Sequence, residues 1–133
     1  SLNLNVGTRL PAYCTSLGRV LLAGLDDAEV KNRLGSSSLS AKTRHTVTDP
    51  AEVLARVQQV RRQGWALVNQ ELEEGLVSAA APVKNRAGKV VAALNASWLA
   101  NRTSATAMKE QLLPKLRTAA DDVSALLSRT IRT

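Results

Sequence analysis

The strongest constraint on the fold is a pair of apolar-rich segments, residues 76–83 and 89–98, joined by the turn sequence Asn85-Arg86-Ala87-Gly88. The glycine supplies the positive φ that a tight hairpin needs. Successive strand residues face opposite sides, so each segment presents two distinct faces. One face is apolar and suited to helix packing: Val77, Ala79, Ala81, Val83, Val90, Ala92, Leu94, Ala96 and Trp98. The other mixes hydrogen-bonding with small or apolar side chains: Leu76, Ser78, Ala80, Val91, Ala93, Asn95 and Ser97.

The three polar side chains of the second face have two interpretations. A shallow sheet surface wetted by solvent would carry Ser78, Asn95 and Ser97 without any function. The floor of a ligand pocket would also combine a few hydrogen-bonding groups with small apolar neighbours. The alternating pattern alone does not decide between these two.

Helix signals surround the hairpin. Asp49-Pro50-Ala51-Glu52 predicts a helix start in which Asp49 caps the backbone and Glu52 reaches back, and Gly64 predicts its end. Earlier helices are predicted from Thr15 or Ser16 to Gly24, and from Asp26 or Asp27 to Gly35. A last helical stretch opens at Thr103 or Ser104, with a break expected around Pro114.

Two more strands are indicated outside the hairpin. Residues 2–6 alternate apolar and polar, which predicts a short half-buried strand ending at Gly7, and residues 65–68 predict another. Helices mixed with hairpin-linked strands indicate an α+β fold, in which helices pack on a mainly antiparallel sheet.

Composition excludes several functional classes. The 133 residues suit one domain, and no apolar run approaches the roughly 20 residues of a membrane helix. One cysteine and one histidine argue against a disulfide and against a zinc site, so we expect neither metal nor cofactor. Aromatic residues at 2% are too few for a base-stacking platform. The net charge of +7 is scattered along the chain, which is more typical of a solvated surface than of a binding patch.

Three features could carry chemistry. The helix that opens at Thr15 and Ser16 presents free backbone N–H groups and two hydroxyls to a carboxylate, unless these hydroxyls merely cap the helix. Cys14 and His45 could form a nucleophile and base, although about thirty residues separate them and cysteine is commonly buried. The acidic cluster of Glu71, Glu73 and Glu74 could be an acid/base pair, but carboxylates before a turn are usually a solvated rim.

Four segments resemble the effector-binding domain of IclR-type transcriptional regulators. These are RLPAYCTSLGRVLLA at 9–23, GWALVNQELEEGL at 64–76, AALNAS at 92–97 and LLP at 112–114, so the resemblance spans essentially the whole chain. The amino-acid sequences of these segments are similar to those of the subgroup that controls protocatechuate, β-ketoadipate and 4-hydroxybenzoate pathways.

The resemblance implies a GAF-like or profilin-like sheet that senses a small organic acid in a dimeric or tetrameric cytoplasmic protein. It also implies that residues 1–133 are the effector domain without its N-terminal winged helix-turn-helix and first elements. Operator DNA would then be bound only through that missing domain, and no membrane would be involved. The resemblance further implies that the strand at residues 2–6 lacks its usual neighbour.

Carried over by position, the resemblance implies an effector pocket in this chain formed by Ser16, Leu17, Val68, Asn69, Leu76, Ser78, Asn95 and Ser97. These include the polar residues of the hairpin, which favours the pocket interpretation. The chain departs from the family where Asn69 replaces a frequent Asp and Val77 a frequent Arg. Arg102 resembles a position retained in the aromatic-pathway subgroup and could pair with a carboxylate, although a surface arginine is commoner.

We therefore expect an effector-sensing domain without catalysis that binds a small aromatic or dicarboxylic acid. The alternatives are a cysteine-dependent hydrolase or transferase using Cys14, and a nucleic-acid-binding module. The first predicts fast thiol alkylation near neutral pH, and the second an affinity that falls steeply with salt.

Overall fold

A computed structural model describes residues 4–130 of the chain. Within this range the chain forms five helices and three strands, in the order α1 (Ser16–Ala23), α2 (Asp27–Gly35), α3 (Pro50–Gln63), β1 (Ala66–Asn69), β2 (Leu76–Lys84), β3 (Val90–Leu99), α4 (Ala105–Gln111) and α5 (Leu113–Thr130). The strands form one antiparallel sheet of order β1-β2-β3. The predicted α+β class is confirmed.

The helix boundaries follow from capping chemistry. The Thr15 Oγ1 atom accepts from the Gly18 N–H at 3.1 Å, and Asp26 accepts from the Glu29 N–H at 2.8 Å. Asp49 caps α3 as predicted, and Gly64 ends that helix with φ of 85°. Glu52 lies over the first turn, but its carboxylate pairs with Arg56 at 3.4 Å.

The hairpin of β2 and β3 keeps the predicted turn, where Gly88 has φ of 82°. Its register pairs Val83 with Ala92 and Lys84 with Val90, so the ladder is irregular next to the turn. The shift reverses the prediction for Val90, which joins Val20 and Ala80 on the second face instead of the apolar face. Simple alternation does not predict that β3 carries an extra residue, Val91, between the partners of Val83 and Lys84.

Helices cover both faces of the sheet. On the first face α5 packs Leu113, Leu116 and Ala120 against Ala79 and Ala81. On the second face Val20 of α1 and Val60 of α3 pack against Ala66 and Ala80. A third apolar cluster joins α1, α2 and α3 through Leu22, Val30 and Val57. The alternating pattern left undecided whether the second face is a solvent-wetted surface or a pocket floor, and in the structure α1 covers part of this face.

Two further predictions concern the chain ends. The expected strand at residues 2–6 does not form in its described part, because no strand pairs with Leu4–Val6 and the Val6 side chain is fully exposed. Leu2 and Asn3 lie outside the described residues. Pro114 is the second residue of α5, which begins after a one-residue interruption at Leu112, so the predicted break is confirmed.

Candidate functional site

The second face of the sheet meets the N-terminus of α1 at a pair of hydroxyls. The Oγ atoms of Ser16 and Ser78 lie 2.8 Å apart and share a hydrogen bond. Ser16 is buried and Ser78 is half-buried, so the pair sits at the boundary between protein and solvent. A hydroxyl both donates and accepts, so each can rotate toward a third polar group without loss of its own bonding capacity.

The sheet register extends this site across all three strands. Ser78 of β2 lies opposite Val68 of β1 and opposite Ser97 of β3, which puts the three side chains in one row of the second face. Exposure rises along the row, from buried Val68 to exposed Ser97. The row therefore forms a surface that is closed at β1 and open at β3.

Three more predicted residues flank this row. Asn95 lies opposite Ala80 on the same face and is exposed. Leu76 is half-buried near the start of β2, and Leu17 is half-buried on α1 against the cluster of Val20 and Ala80. Apolar and polar groups thus surround the hydroxyl pair.

Asn69 does not lie on the same face of the sheet as the other predicted strand residues. It pairs with Val77, so its place in the strand belongs to the face that α5 covers, and its Oδ1 accepts from Gln70 Nε2 at 3.2 Å. Arg102 is exposed beyond the end of β3. Position in the sequence could not reveal that Asn69 and Ser78 lie on opposite faces, because this depends on the pairing register.

The start of α1 adds backbone donors to the site. Thr15 Oγ1 accepts from the Gly18 N–H and donates to the Pro11 carbonyl at 2.8 Å. Among residues 4–130, the N–H groups of Ser16 and Leu17 have no acceptor. Free N–H groups at a helix start favour a negatively charged partner. The eight predicted residues include no ionisable side chain, so none of them brings a negative charge against such a partner.

A cavity of about 660 Å³ lies on the other side of α1, between this helix and the end of α2. Its lining includes Arg9, Tyr13, Leu21, Arg33 and Ser38, and none of the eight predicted residues. This cavity is a competing place for a small molecule.

The sequence analysis missed a buried ion pair beside the site. The Arg19 guanidinium donates to both carboxylate oxygens of Glu71, at 2.8 and 2.6 Å, and both residues are buried. The interpretation of Glu71 as part of a solvated rim is wrong, because its turn folds back against α1. An arginine inside an apolar helix pattern was the available signal, since such a charge needs a partner when buried.

Cys14 and His45 show no sign of a catalytic pair. Cys14 is fully buried, and burial raises the pKa of its thiol. His45 is exposed, and its Nε2 accepts from Arg44 at 3.3 Å. A buried thiol with a raised pKa is a poor nucleophile at neutral pH.

The sequence profile for the C-terminal domain of the bacterial transcriptional regulator IclR matches residues 1–125. The chain belongs to the IclR family. The predicted family is thus confirmed. Among the described residues of this IclR domain, no helix is long and apolar enough to cross a membrane.

Curated relatives of the IclR domain include regulatory proteins and transcriptional regulators. The Pca regulon regulatory protein of Pseudomonas putida is 47% identical over 123 residues, covering 92% of this chain and 42% of that protein. The p-hydroxybenzoate hydroxylase transcriptional activator of Acinetobacter baylyi is 36% identical over 124 residues, covering 93% and 46%. The chain therefore spans less than half the length of these relatives. That they are regulators agrees with the prediction of a non-enzyme.

Solved structures share the fold of the IclR domain. A transcriptional regulator from Rhodococcus sp. RHA1 superposes with a TM-score of 0.95 at 42% identity, covering 99% of this chain and 53% of that one. The inducer-binding domain of an Acinetobacter PobR double mutant, in complex with 3-hydroxybenzoic acid, has a TM-score of 0.86 at 36% identity, covering 90% and 69%.

Proposed function

We propose that this IclR domain senses a small aromatic or dicarboxylic acid of the protocatechuate, 4-hydroxybenzoate or β-ketoadipate class. It does so within a longer cytoplasmic protein whose helix-turn-helix domain binds operator DNA. The names of the relatives and the hydroxybenzoate complex of PobR support the class of ligand. The acid changes DNA binding by favouring one arrangement of a dimer or tetramer, for which a difference of about 1 to 3 kcal/mol is sufficient.

The observation that carries the proposal is the Ser16–Ser78 hydroxyl pair at the start of α1. A carboxylate binds the free N–H groups of Ser16 and Leu17 together with the Ser16 hydroxyl. Ser78 and Ser97 bind hydroxyl or keto oxygens of the acid, and Asn95 extends this polar row. Leu17, Val68 and Leu76 contact its apolar part. Asn69 follows Val68 at the end of β1 and lies on the opposite face of the sheet, so it does not contact the acid directly.

Calorimetric titration with protocatechuate, 4-hydroxybenzoate and β-ketoadipate tests the proposal. At least one acid is expected to bind with micromolar to millimolar affinity, about 4 to 8 kcal/mol. Ser78→Leu fills the space beside Ser16 and abolishes the heat. Ser38→Leu is the matched control, because Ser38 is exposed and lines the 660 Å³ cavity instead.

The outcomes distinguish the two places where the acid could bind and test the ligand class. If Ser38→Leu abolishes binding and Ser78→Leu retains it, the acid binds in the cavity between α1 and α2. If the unmodified chain binds none of the three acids, the proposed ligand class is wrong.

A further inference from the structure

The Arg19–Glu71 pair connects the two parts of the chain that form the proposed site. Arg19 lies one helical turn after Ser16 on α1. Glu71 lies in the connection between β1 and β2, three residues after Val68 and five before Leu76. The two-pronged contact between guanidinium and carboxylate fixes both the distance and the relative orientation of its partners.

On the helix side, Arg19 also holds the segment that leads into α1. Its Nε donates to the Tyr13 carbonyl at 3.1 Å. The Tyr13 hydroxyl in turn donates to the Ser40 carbonyl at 2.6 Å. The backbone immediately before Thr15 and Ser16 is therefore fixed by contacts outside the helix itself.

On the strand side, Glu71 lies in a connection that is held at several points. Its Oε1 accepts from the Val47 N–H at 3.2 Å, and its carbonyl accepts from Thr46 Oγ1 at 2.6 Å. The neighbouring Gln70 has φ of 62°, a left-handed conformation that non-glycine residues rarely adopt, and its carbonyl accepts from Thr43 Oγ1 at 2.6 Å. Such backbone strain persists only where surrounding contacts fix it, and it is common near ligand-binding sites.

Stability alone is a weak reason for this arrangement. A buried ion pair is often no more stabilising than an apolar pair of similar volume, because both charges lose their hydration. What an ion pair with fixed geometry provides is a defined separation between two elements. The Ser16–Ser78 bond cannot provide this alone, because a single hydrogen bond between two rotatable hydroxyls does not fix the relative orientation of the two elements.

We infer that Arg19 and Glu71 are positioning residues of the effector site. They hold α1 against the β1–β2 connection at the separation that lets Ser16 and Ser78 face one bound acid. This inference rests on the proposed function, and it assigns to two residues outside the predicted pocket a role in effector affinity.

The test uses Arg19→Lys and Glu71→Gln, each titrated calorimetrically with protocatechuate, 4-hydroxybenzoate and β-ketoadipate. Lysine keeps the charge but loses the two-pronged geometry, and glutamine keeps the shape but loses the charge. Both variants are expected to lose about tenfold or more in affinity, which corresponds to about 1.4 kcal/mol, while circular dichroism shows a folded chain.

Leu116→Ala is the matched control, since it weakens packing on the opposite face of the sheet without touching the site. Its affinity is expected to stay within about twofold of the unmodified chain at a comparable loss of stability. If Leu116→Ala loses as much affinity as Arg19→Lys, the effect is one of general stability and the inference is overturned. If Arg19→Lys and Glu71→Gln both retain affinity, it is overturned while the proposed function stands.

Should the single variants fail to fold, the double variant Arg19→Met/Glu71→Leu keeps the inference testable. It removes both charges at once, so neither is left buried without a partner. We expect it to fold and to bind about tenfold more weakly than the unmodified chain. Unchanged affinity of this double variant would refute a positioning role. Failure of the unmodified chain to bind any acid would refute the proposed function instead.

Discussion

On one face of the sheet, α5 packs Leu113, Leu116 and Ala120 against small residues of β2 through apolar contacts. On the other face, the junction of α1 with the strands combines apolar packing with a hydroxyl pair and the buried Arg19–Glu71 pair. Apolar packing tolerates substitution of similar volume, whereas a buried polar network is sensitive to the loss of any partner. The comparison indicates that packing on the first face mainly stabilises the fold, whereas the polar contacts on the second face fix the position of α1 relative to the strands.

The largest effect is expected where the polar junction loses one charge. Glu71→Ala leaves the buried Arg19 guanidinium without its carboxylate and removes the acceptor of the Val47 N–H. We expect a loss of about 3 to 5 kcal/mol in the free energy of unfolding, measured by urea denaturation. Arg19→Met/Glu71→Leu should recover most of this loss. A double variant as unstable as Glu71→Ala would mean that the pair itself stabilises the fold, contrary to the comparison.

The apolar face should respond to lost volume instead of lost charge. Leu116→Ala removes a buried side chain between α5 and β2 and is expected to cost about 2 to 3 kcal/mol. Leu126→Ala, at an exposed position on the same helix, should cost less than about 0.5 kcal/mol. Equal losses in the two variants would show that α5 is packed more evenly than its contacts with β2 indicate. Urea denaturation curves of both variants measure the difference.

A smaller effect is expected from the cap of α1. Thr15→Ala removes the acceptor of the Gly18 N–H and the donor to Pro11, and should lower the free energy of unfolding by about 1 kcal/mol. Thr15→Ser keeps both bonds and should recover most of the loss. If Thr15→Ser is as unstable as Thr15→Ala, the methyl group and its packing matter more than the cap. Thermal unfolding of the three chains separates these outcomes.

Local signals predicted most of the fold because each depends on a few neighbouring residues. Asp49 with Pro50, Gly64 and Gly88 mark boundaries that the structure reproduces. The strand at residues 2–6 could not be assessed in this way, because alternation reports which side chains suit a strand and not whether a partner strand is available.

The candidate site was predictable in part for the same reason. Alternation and family resemblance both selected Ser78 and Ser97, which share one row of the sheet. Glu71 was misread because its burial depends on a contact with Arg19 across 52 residues, and no local pattern reports such a distance. The face on which Asn69 lies depends on the pairing register of β1 and β2, which no local pattern reports either.

The smallest effect tests a polar contact that lies at the surface. Asp27 accepts from Arg61 at 2.7 Å and from Gln58 at 2.8 Å, which ties α2 to α3. These hydrogen bonds lower the pKa of the Asp27 carboxyl, so its contribution to stability is present above the usual aspartate range and is lost as the pH falls through the lowered value.

Asp27→Asn should therefore slightly lower the free energy of unfolding at neutral pH and reduce its fall in the acidic range, so that the two chains converge at low pH. The effect should shrink further at high salt, because the pair is exposed and solvent screens it. The measurement is urea denaturation at a series of acidic pH values, with and without added salt. An identical pH dependence in the two chains would mean that Asp27 is ionised to the same extent before and after unfolding, so that α2 is held to α3 by Val30 and its apolar neighbours alone.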